Sequence, residues 1–151
     1  MSPQGITSTS WAIFFMKTRL KPRPKRLKRP QVKRIKESKV DALFSLWIRQ
    51  RDQVCQYPLR SPEDFHAGPL QNSHFHGRTA RSTRWDEENC DGICARHHQF
   101  LEGRKNAEYA DWKRKQLGDE RFEALKRRYY QLKQWSQPEL RSLISKYSPT
   151  D

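Results

Sequence analysis

Histidine, cysteine and arginine are concentrated in one short segment of the chain. Residues 70–101 (LQNSHFHGRTARSTRWDEENCDGICARHHQFL) hold four of the five histidines, two of the three cysteines and four arginines. A neutral imidazole can deprotonate water, and histidine can hold a divalent metal that offsets charge on a phosphate. Arginine can bind the phosphate oxygens. The segment therefore carries the side chains that hydrolysis of a phosphodiester requires.

The position of each side chain in this segment suggests its role. His74, at the end of a predicted strand, can act as the base, and His98, on a predicted helix, can hold the metal. Asn89 lies between them and can fix the loop or orient His74 through its amide. His76 lies two residues after His74, so on a strand it shares a face with His74 and can help to bind metal or phosphate. Other oxygen donors and phosphate-binding cations nearby are Asp86, Glu88, Arg78, Arg81 and Arg84.

The elements that must position these residues are short. Hydrophobic residues make up only 34% of the chain, so any core is small and favours a metal or a partner to stabilise it. A strand over 70–75 is predicted to pair with one over 85–89, followed by a turn at Asp91-Gly92 and a short helix over 94–101. Before them, apolar residues at helical spacing predict an amphipathic helix over 38–50, capped by Ser38. After them we expect helices over 106–117, where Gly118 stops the helix, over 119–134, and after Ser136.

The order histidine, asparagine, histidine across a hairpin and a short helix resembles phage HNH (ββα-metal) endonucleases. The likeness covers residues 38–130 and is carried by WIRQRD (47–52), SHFHGR (73–78), STRWDEENC (82–90), CARHH (94–98) and WKRKQLGDERFEAL (112–125). Similarity to recombination nucleases of the NinG/Rap kind is looser. The resemblance implies an α+β fold: a small HNH core of hairpin and helix, flanked by helices. It also implies His74 as general base, Asn89 as the middle asparagine, and His98 as ligand of a catalytic magnesium or manganese.

The same resemblance implies a structural zinc site of treble-clef type. Its two cysteine pairs map to positions 55 with 58 and 94 with 97. Pro58 cannot bind zinc, whereas a histidine at the last position can replace cysteine. The ligands that remain are Cys55, Cys94 and His97. His66 or Cys90 can complete the tetrahedron; alternatively the zinc site has been lost and the core depends on packing of Trp47, Phe65, Trp85 and Phe100.

The positive charge of the chain lies mainly in an N-terminal arm. The formal net charge is +14, and between Lys17 and Lys36 there are eleven basic residues and no acidic one. Three prolines interrupt this stretch, which predicts a disordered arm over 1–37 that binds DNA phosphates. Residues 1–15 are either an upstream extension before a start at Met16 or an ordinary N-terminus. The arm's expected contacts include Lys25, Arg26, Lys28 and Arg29.

Together these features predict an HNH nuclease domain over 38–135 and a C-terminal helix and tail over 136–151. The expected function is metal-dependent cleavage of DNA, including branched DNA, in phage recombination, replication or packaging. One alternative is a catalytically degenerate HNH fold that binds DNA or a junction without cutting. Another is an RNA-binding protein, which the histidine cluster disfavours.

With no secretory signal and no apolar stretch of membrane-spanning length, we expect reduced thiols and a location in the cytoplasm of a bacterial host. Resolving a branch requires two active sites, so a homodimer through the helices at 106–146 is expected in that case.

Overall fold

The protein is described by a computed structural model over residues 33–103 and 107–149. Within these ranges it is an α+β structure with one two-stranded antiparallel sheet and five α-helices. The elements in chain order are α1 (Glu37–Asp52), β1 (Leu70–His74), a 3-10 turn (Glu87–Asn89), β2 (Cys90–Cys94), α2 (Ala95–Gly103), α3 (Ala107–Leu117), α4 (Asp119–Tyr129) and α5 (Gln137–Tyr147).

The hairpin and the helix after it form the centre of the structure. β1 pairs with β2 so that Leu70 lies opposite Cys94 and His74 opposite Cys90, and α2 begins at the next residue. The prediction of a second strand over 85–89 is wrong, because residues 87–89 form a 3-10 turn and the strand begins at Cys90.

The predicted turn at Asp91-Gly92 is also wrong, because both residues lie inside β2. The carboxylate of Asp91 is buried in an ion pair with Lys113 (2.7 Å). This pair compensates the charge of Asp91, so the residue can lie inside a buried strand instead of in a solvent-exposed turn. Gly92 is required by close packing, since an added Cβ would lie 2.8 Å from the Cβ of Asp52 on α1. Its amide also donates to the Asp52 carboxylate at 2.5 Å. Two partners from distant helices therefore override a local turn preference.

Helix α1 confirms the amphipathic pattern and packs on α5. Val40, Phe44 and Ile48 are buried on one face of α1. They form a core with residues from the hairpin region and α5, namely Trp85, Cys90, Leu140 and Tyr147. The helix begins before Ser38, so the predicted cap at that residue is wrong; instead the backbone of Ile35 exchanges two hydrogen bonds with the Gln137 side chain, which fixes the entry to α1.

A second apolar cluster joins β2, α2 and α3 to the segment after α1. Tyr57, Ile93, Leu101 and Tyr109 are its buried members. The buried Lys113–Asp91 pair attaches α3 to β2, and Gln116 donates a further hydrogen bond to Asp91 at 2.8 Å. Gly118, at φ +78°, separates α3 from α4 as predicted, in a conformation that glycine adopts without strain.

Helix α4 is shorter than predicted. It ends at Tyr129 rather than near residue 134, and Leu132, predicted to lie on its apolar face, is fully exposed. The Ser82 hydroxyl donates to the Tyr129 carbonyl at 3.2 Å and so takes up a group that would otherwise continue the helix. Ion pairs from Arg128 to Asp86 and Glu88, both at 2.6 Å, fix the last turn of α4 to the segment before β2.

Most of the predicted basic arm, with Lys25, Arg26, Lys28 and Arg29, lies outside the described residues. α5, assigned from sequence to a separate C-terminal segment, contributes Leu140 and Tyr147 to the core shared with α1. None of the helices in the described ranges has the length and apolar character needed to cross a bilayer.

Candidate active site and metal centre

Two cysteines and two histidines converge where the long segment before β1 meets the start of α2. Cys55, His66, Cys94 and His97 each place one ligand atom within 4.8 Å of the other three. The Nδ1 atom of His97 lies 3.6 Å from Cys55 Sγ, 3.5 Å from Cys94 Sγ and 3.3 Å from His66 Nδ1. The four residues therefore lie close enough to hold a metal ion.

The three separations from His97 Nδ1 match edges of a tetrahedral site, while the four ligand atoms as a set lie within 4.8 Å of one another. A zinc ion with Zn–S bonds of about 2.3 Å and Zn–N bonds of about 2.0 Å separates sulfur from nitrogen by about 3.5 Å and nitrogen from nitrogen by about 3.3 Å. The observed sulfur–nitrogen distances are 3.6 and 3.5 Å, and the nitrogen–nitrogen distance is 3.3 Å. Two sulfurs and two nitrogens in this arrangement suit zinc better than a hard cation.

Asp64 orients one of the ligands from behind. Its two carboxylate oxygens each lie 3.1 Å from Nε2 of the buried His97. Because a carboxylate only accepts, Nε2 carries the proton and Nδ1 turns its lone pair toward the other three ligands. Burial would raise the pKa of Asp64, but hydrogen bonds from Arg60 and His97 lower it below its usual range, so the group stays ionised. A carboxylate behind a ligating histidine is the usual support of a zinc site.

His66, not position 58 where Pro58 stands, lies close enough to offer the fourth donor atom. Cys90, the other candidate from sequence, is fully buried in the core against α1 and is not part of the cluster. Phe65, proposed as a core aromatic if zinc was lost, is exposed and lies under the guanidinium of Arg96 instead. The sequence alone established three ligands for this cluster, and in the structure the cluster has four donors.

A second site is a cavity of about 310 Å³ between α1, β1 and α2. It brings together His74 from the end of β1 and His98 from α2, as the predicted roles require. Its remaining lining includes two cations, two carboxylates and two amides: Arg49, Arg78, Asp41, Glu102, Gln71 and Asn72.

His74 is a neutral imidazole with a fixed proton. Its Nε2 lies 3.1 Å from the backbone carbonyl of Arg84, which can only accept, so Nε2 donates and Nδ1 has the free lone pair. Burial lowers the pKa of His74 to about 4, with a further contribution from the positive charge of Arg78. At neutral pH the side chain is therefore a base with one available nitrogen.

His98 has an oxygen partner on each side. Its Nδ1 lies 2.6 Å from Gln71 Oε1, and its Nε2 lies 3.1 Å from Glu102 Oε1, four residues further along the chain. In the same cavity the buried Oδ1 of Asn72 has no hydrogen-bond partner among the described residues. Imidazole, carboxylate and amide side chains thus line one cavity, and such a donor set is one that a hard divalent cation accepts when water fills the other positions.

Asn89 supports the loop that follows His74. Its side-chain oxygen accepts from the His76 amide at 2.7 Å, and its amide donates to the carbonyls of His76 and Thr83, both at 2.9 Å. Asn89 itself is completely buried. These side-chain hydrogen bonds go to the backbone of His76 and Thr83 and not to the His74 ring, so Asn89 acts as a positioning residue of the loop between β1 and β2.

His76 lies apart from the cavity of His74 and His98. β1 ends at His74, so the strand alternation that would put both histidines on one face no longer applies. The His76 ring stacks on Tyr129, with centroids 4.1 Å apart, and burial lowers its pKa to about 4. The predicted oxygen donors Asp86 and Glu88 are engaged by Arg128.

The three predicted phosphate-binding arginines of the loop differ in their surroundings. Arg78 lines the cavity beside His74. Arg84 instead binds both carboxylate oxygens of Asp41, at 2.9 and 2.6 Å, and contacts Glu37 at 2.8 Å. Arg81 is also paired with Glu37. Arg81 and Arg84 therefore fasten the loop to α1.

Three residues of the sites did not stand out in the sequence. Arg49 reaches the cavity from α1, where a cation on a helix face carries no special signal. Glu102 lies four residues after His98 on α2, a spacing that could have indicated a shared ligand site. Asp64 has no linear signal, because its relation to His97 depends entirely on the fold.

Compared with protein-family models, curated proteins and solved structures, the chain has no significant match. Its function has to follow from the geometry of these two sites.

Proposed function

We propose that the protein is a metal-dependent DNA endonuclease with an HNH-type core. One observation carries this proposal: a neutral His74 with a free ring nitrogen shares a cavity with His98, across a β-hairpin and the helix that follows it. The order of the hairpin, the loop asparagine and the helix histidine agrees with the HNH resemblance.

His74 would activate the attacking water. Its Nδ1 takes a proton from a water molecule while Nε2 stays bonded to the Arg84 carbonyl, which keeps the ring in one orientation. The water oxygen forms a bond to phosphorus, the ester P–O bond on the opposite side breaks, and the leaving oxygen takes a proton from a second water molecule. A buried imidazole of low pKa is in its basic form throughout the neutral range.

His98 and Glu102 would hold the catalytic divalent cation. His98 Nε2 and Glu102 Oε1 are 3.1 Å apart, and Gln71 and Asn72 line the same cavity. Magnesium and manganese accept such oxygen-rich sites and retain several waters. When bound, the cation would supply positive charge to offset the charge that develops on the phosphate.

Arg49 and Arg78 would bind the phosphate at the cavity. Both line it, and neither is among the arginines that fasten the loop to α1. The predicted basic arm would add contacts to the backbone that are independent of sequence and weaken with salt.

The Cys55, His66, Cys94 and His97 cluster would be a structural zinc site. It has four donors and no open position for substrate, which is how structural zinc differs from catalytic zinc. It joins the segment before β1 to β2 and α2, so it would hold in place the helix that carries His98.

The test is nicking of supercoiled plasmid in manganese or magnesium. We expect metal-dependent nicking by the full chain, about 10²- to 10⁴-fold slower in His74→Ala. Arg49→Ala should also be slower, whereas Arg141→Ala, which removes an exposed cation on α5, should match the wild type. Nicking that survives EDTA, or that is unchanged in His74→Ala, would contradict the proposal.

A second candidate is a DNA-binding protein of the same core that does not cut. It is favoured by one observation: within the described residues, the only group of three or more histidine, cysteine or acidic ligands is the zinc-type cluster, not the cavity of His98. Tight DNA binding without nicking in any divalent metal would support this second candidate.

A further inference from the structure

Three cavities that share lining residues adjoin one another along the surface, starting at His74, and we call them the track. The His74 cavity shares Gly77 with a second cavity of about 450 Å³. The second shares Arg81, Leu132 and Lys133 with a third, which extends to Arg34 and Lys36. The track therefore leads from the candidate active site to the point where the predicted basic arm joins the folded part of the chain.

The middle of the track carries exposed aromatic and aliphatic side chains. Tyr130 is 77% exposed and Leu132 is fully exposed, although both line the second cavity. Tyr129 beside them is stacked on His76 and edge-on to Tyr130, with centroids 4.9 Å apart. We call Tyr129, Tyr130 and Leu132 the platform. The Ser82 hydroxyl donates a hydrogen bond to the Tyr129 carbonyl, so the platform is fixed to the loop that follows His74.

Cations line the track on both sides of this platform. Arg78 lies at its start, Arg81 and Lys133 in the middle, and Arg34 and Lys36 at its end. Glu37 and Glu139 pair with Arg81 and Lys133, so the positive charge is moderate at the platform. At the His74 end the cations are balanced by carboxylates, and the positive charge is greatest at the end with Arg34 and Lys36. A polyanion whose backbone follows the cations would place its other groups over the tyrosines.

The exposed rings favour an unpaired strand over a duplex. In a duplex each base is covered by its neighbours in the stack, and only edges and phosphates face a protein. In a single strand the flat face of a base is available to stack on an aromatic side chain. Stacking on such a face would cover far more of the exposed Tyr130 ring than contact with the edge of a duplex.

We propose that this track binds an unpaired DNA strand, with a nucleobase stacked on Tyr130. The inference rests on the proposed nuclease function and names its substrate class: DNA with a single-stranded segment, such as a fork, gap or branch, next to the phosphate held at His74. The platform lies one cavity away from His74, so the unpaired segment adjoins the cut position.

The test measures the affinity of the full chain for oligothymidylate and for a duplex of equal length, at one fixed salt concentration, by fluorescence anisotropy. Tyr130→Ala should weaken oligothymidylate binding about tenfold, since stacking on one aromatic residue typically contributes that much or more. Duplex affinity should stay within about twofold, and Tyr130→Phe should restore single-strand binding. Phe65→Ala, which removes an exposed ring outside the track, is the matched control.

Equal losses for both DNAs, or no loss for oligothymidylate, would overturn the inference; a greater loss with oligouridylate than with oligothymidylate would reassign the strand to RNA. Because Tyr130 is exposed at a helix end, its truncation should leave the melting temperature unchanged, which separates binding from folding.

Plasmid nicking by the wild type distinguishes the two proposals. If nicking occurs but Tyr130→Ala changes nothing, only the track is wrong, and if nicking fails while the tyrosine effect holds, only the nuclease activity is wrong.

Discussion

Replacing His66 by alanine isolates the contribution of the metal centre. His66 is exposed, so His66→Ala leaves no cavity in the core, while Cys55, Cys94 and His97 remain in place. We expect the wild type to bind one zinc ion and the variant to bind it at least 100-fold more weakly. Removing a residue that only hydrogen-bonds to a metal ligand already lowers metal affinity by about 10- to 100-fold, and a ligand itself should contribute at least as much.

This change in affinity converts into a change in thermal stability. A 100-fold weaker zinc affinity removes about 2.7 kcal/mol of stability when free zinc is well above both dissociation constants. The described residues are 33–103 and 107–149. At an unfolding entropy of about 2.1 cal/mol/K per residue, the melting temperature should fall by about 11 °C.

The assay is thermal unfolding by circular dichroism, in buffered zinc and again with excess chelator. The variant should melt about 11 °C lower than the wild type in zinc, and the two should melt together in chelator. His98→Ala, which removes a histidine of α2 that is not in the cluster, should keep the full response to zinc. Equal melting in zinc would refute the four-ligand assignment, and a difference that persists in chelator would show that His66 stabilises the fold without metal.

Three further results follow from the described contacts. With manganese saturating at every pH, so that protonation of the His98 ligand does not limit the rate, nicking should be independent of pH above about 5 and fall as pH drops through 4. Protonation of a base with a pKa of about 4 removes its lone pair, and a fall centred near pH 6.5 would contradict the buried state of His74. Asn89→Ala should lower the free energy of unfolding in urea by about 3 kcal/mol, since it leaves buried backbone groups of the loop unpaired. Lys113→Met should cost about 3–5 kcal/mol in the same assay by leaving a buried Asp91 charge, and a double variant with Asp91→Asn should recover part of that loss.

The fold follows from sequence where the pattern is local. The amphipathic helix α1, the strand ending at His74 and the break at Gly118 were predicted, because apolar spacing and a single glycine determine them. β2 was misplaced because Asp91 and Gly92, which are typical turn residues, lie at its centre. Asp91 and Gly92 resemble a turn until Lys113 from α3 and Asp52 from α1 are known to contact them.

The candidate sites depend on the fold to a greater extent. The order of His74, Asn89 and His98 indicated a shared site, and the structure places His74 and His98 on one cavity with Asn89 under the loop. The ligand role of His66 was only one of two alternatives, since a distance of eleven positions from Cys55 resembles no familiar spacing. Arg49 and Asp64 could not be found from sequence, because each reaches its site from an element distant in the chain.

The metal cluster also bears on how this chain can vary over evolutionary time. With His66 as a ligand, the order becomes Cys-x10-His-x27-Cys-x2-His, and position 58 is released from any role in the site. Relatives that keep His66 can therefore carry almost any residue at position 58 and can lengthen or shorten the segment between the first two ligands. Descent in such a lineage is best traced through the co-inheritance of His66 and Asp64, rather than through a pair of closely spaced cysteines.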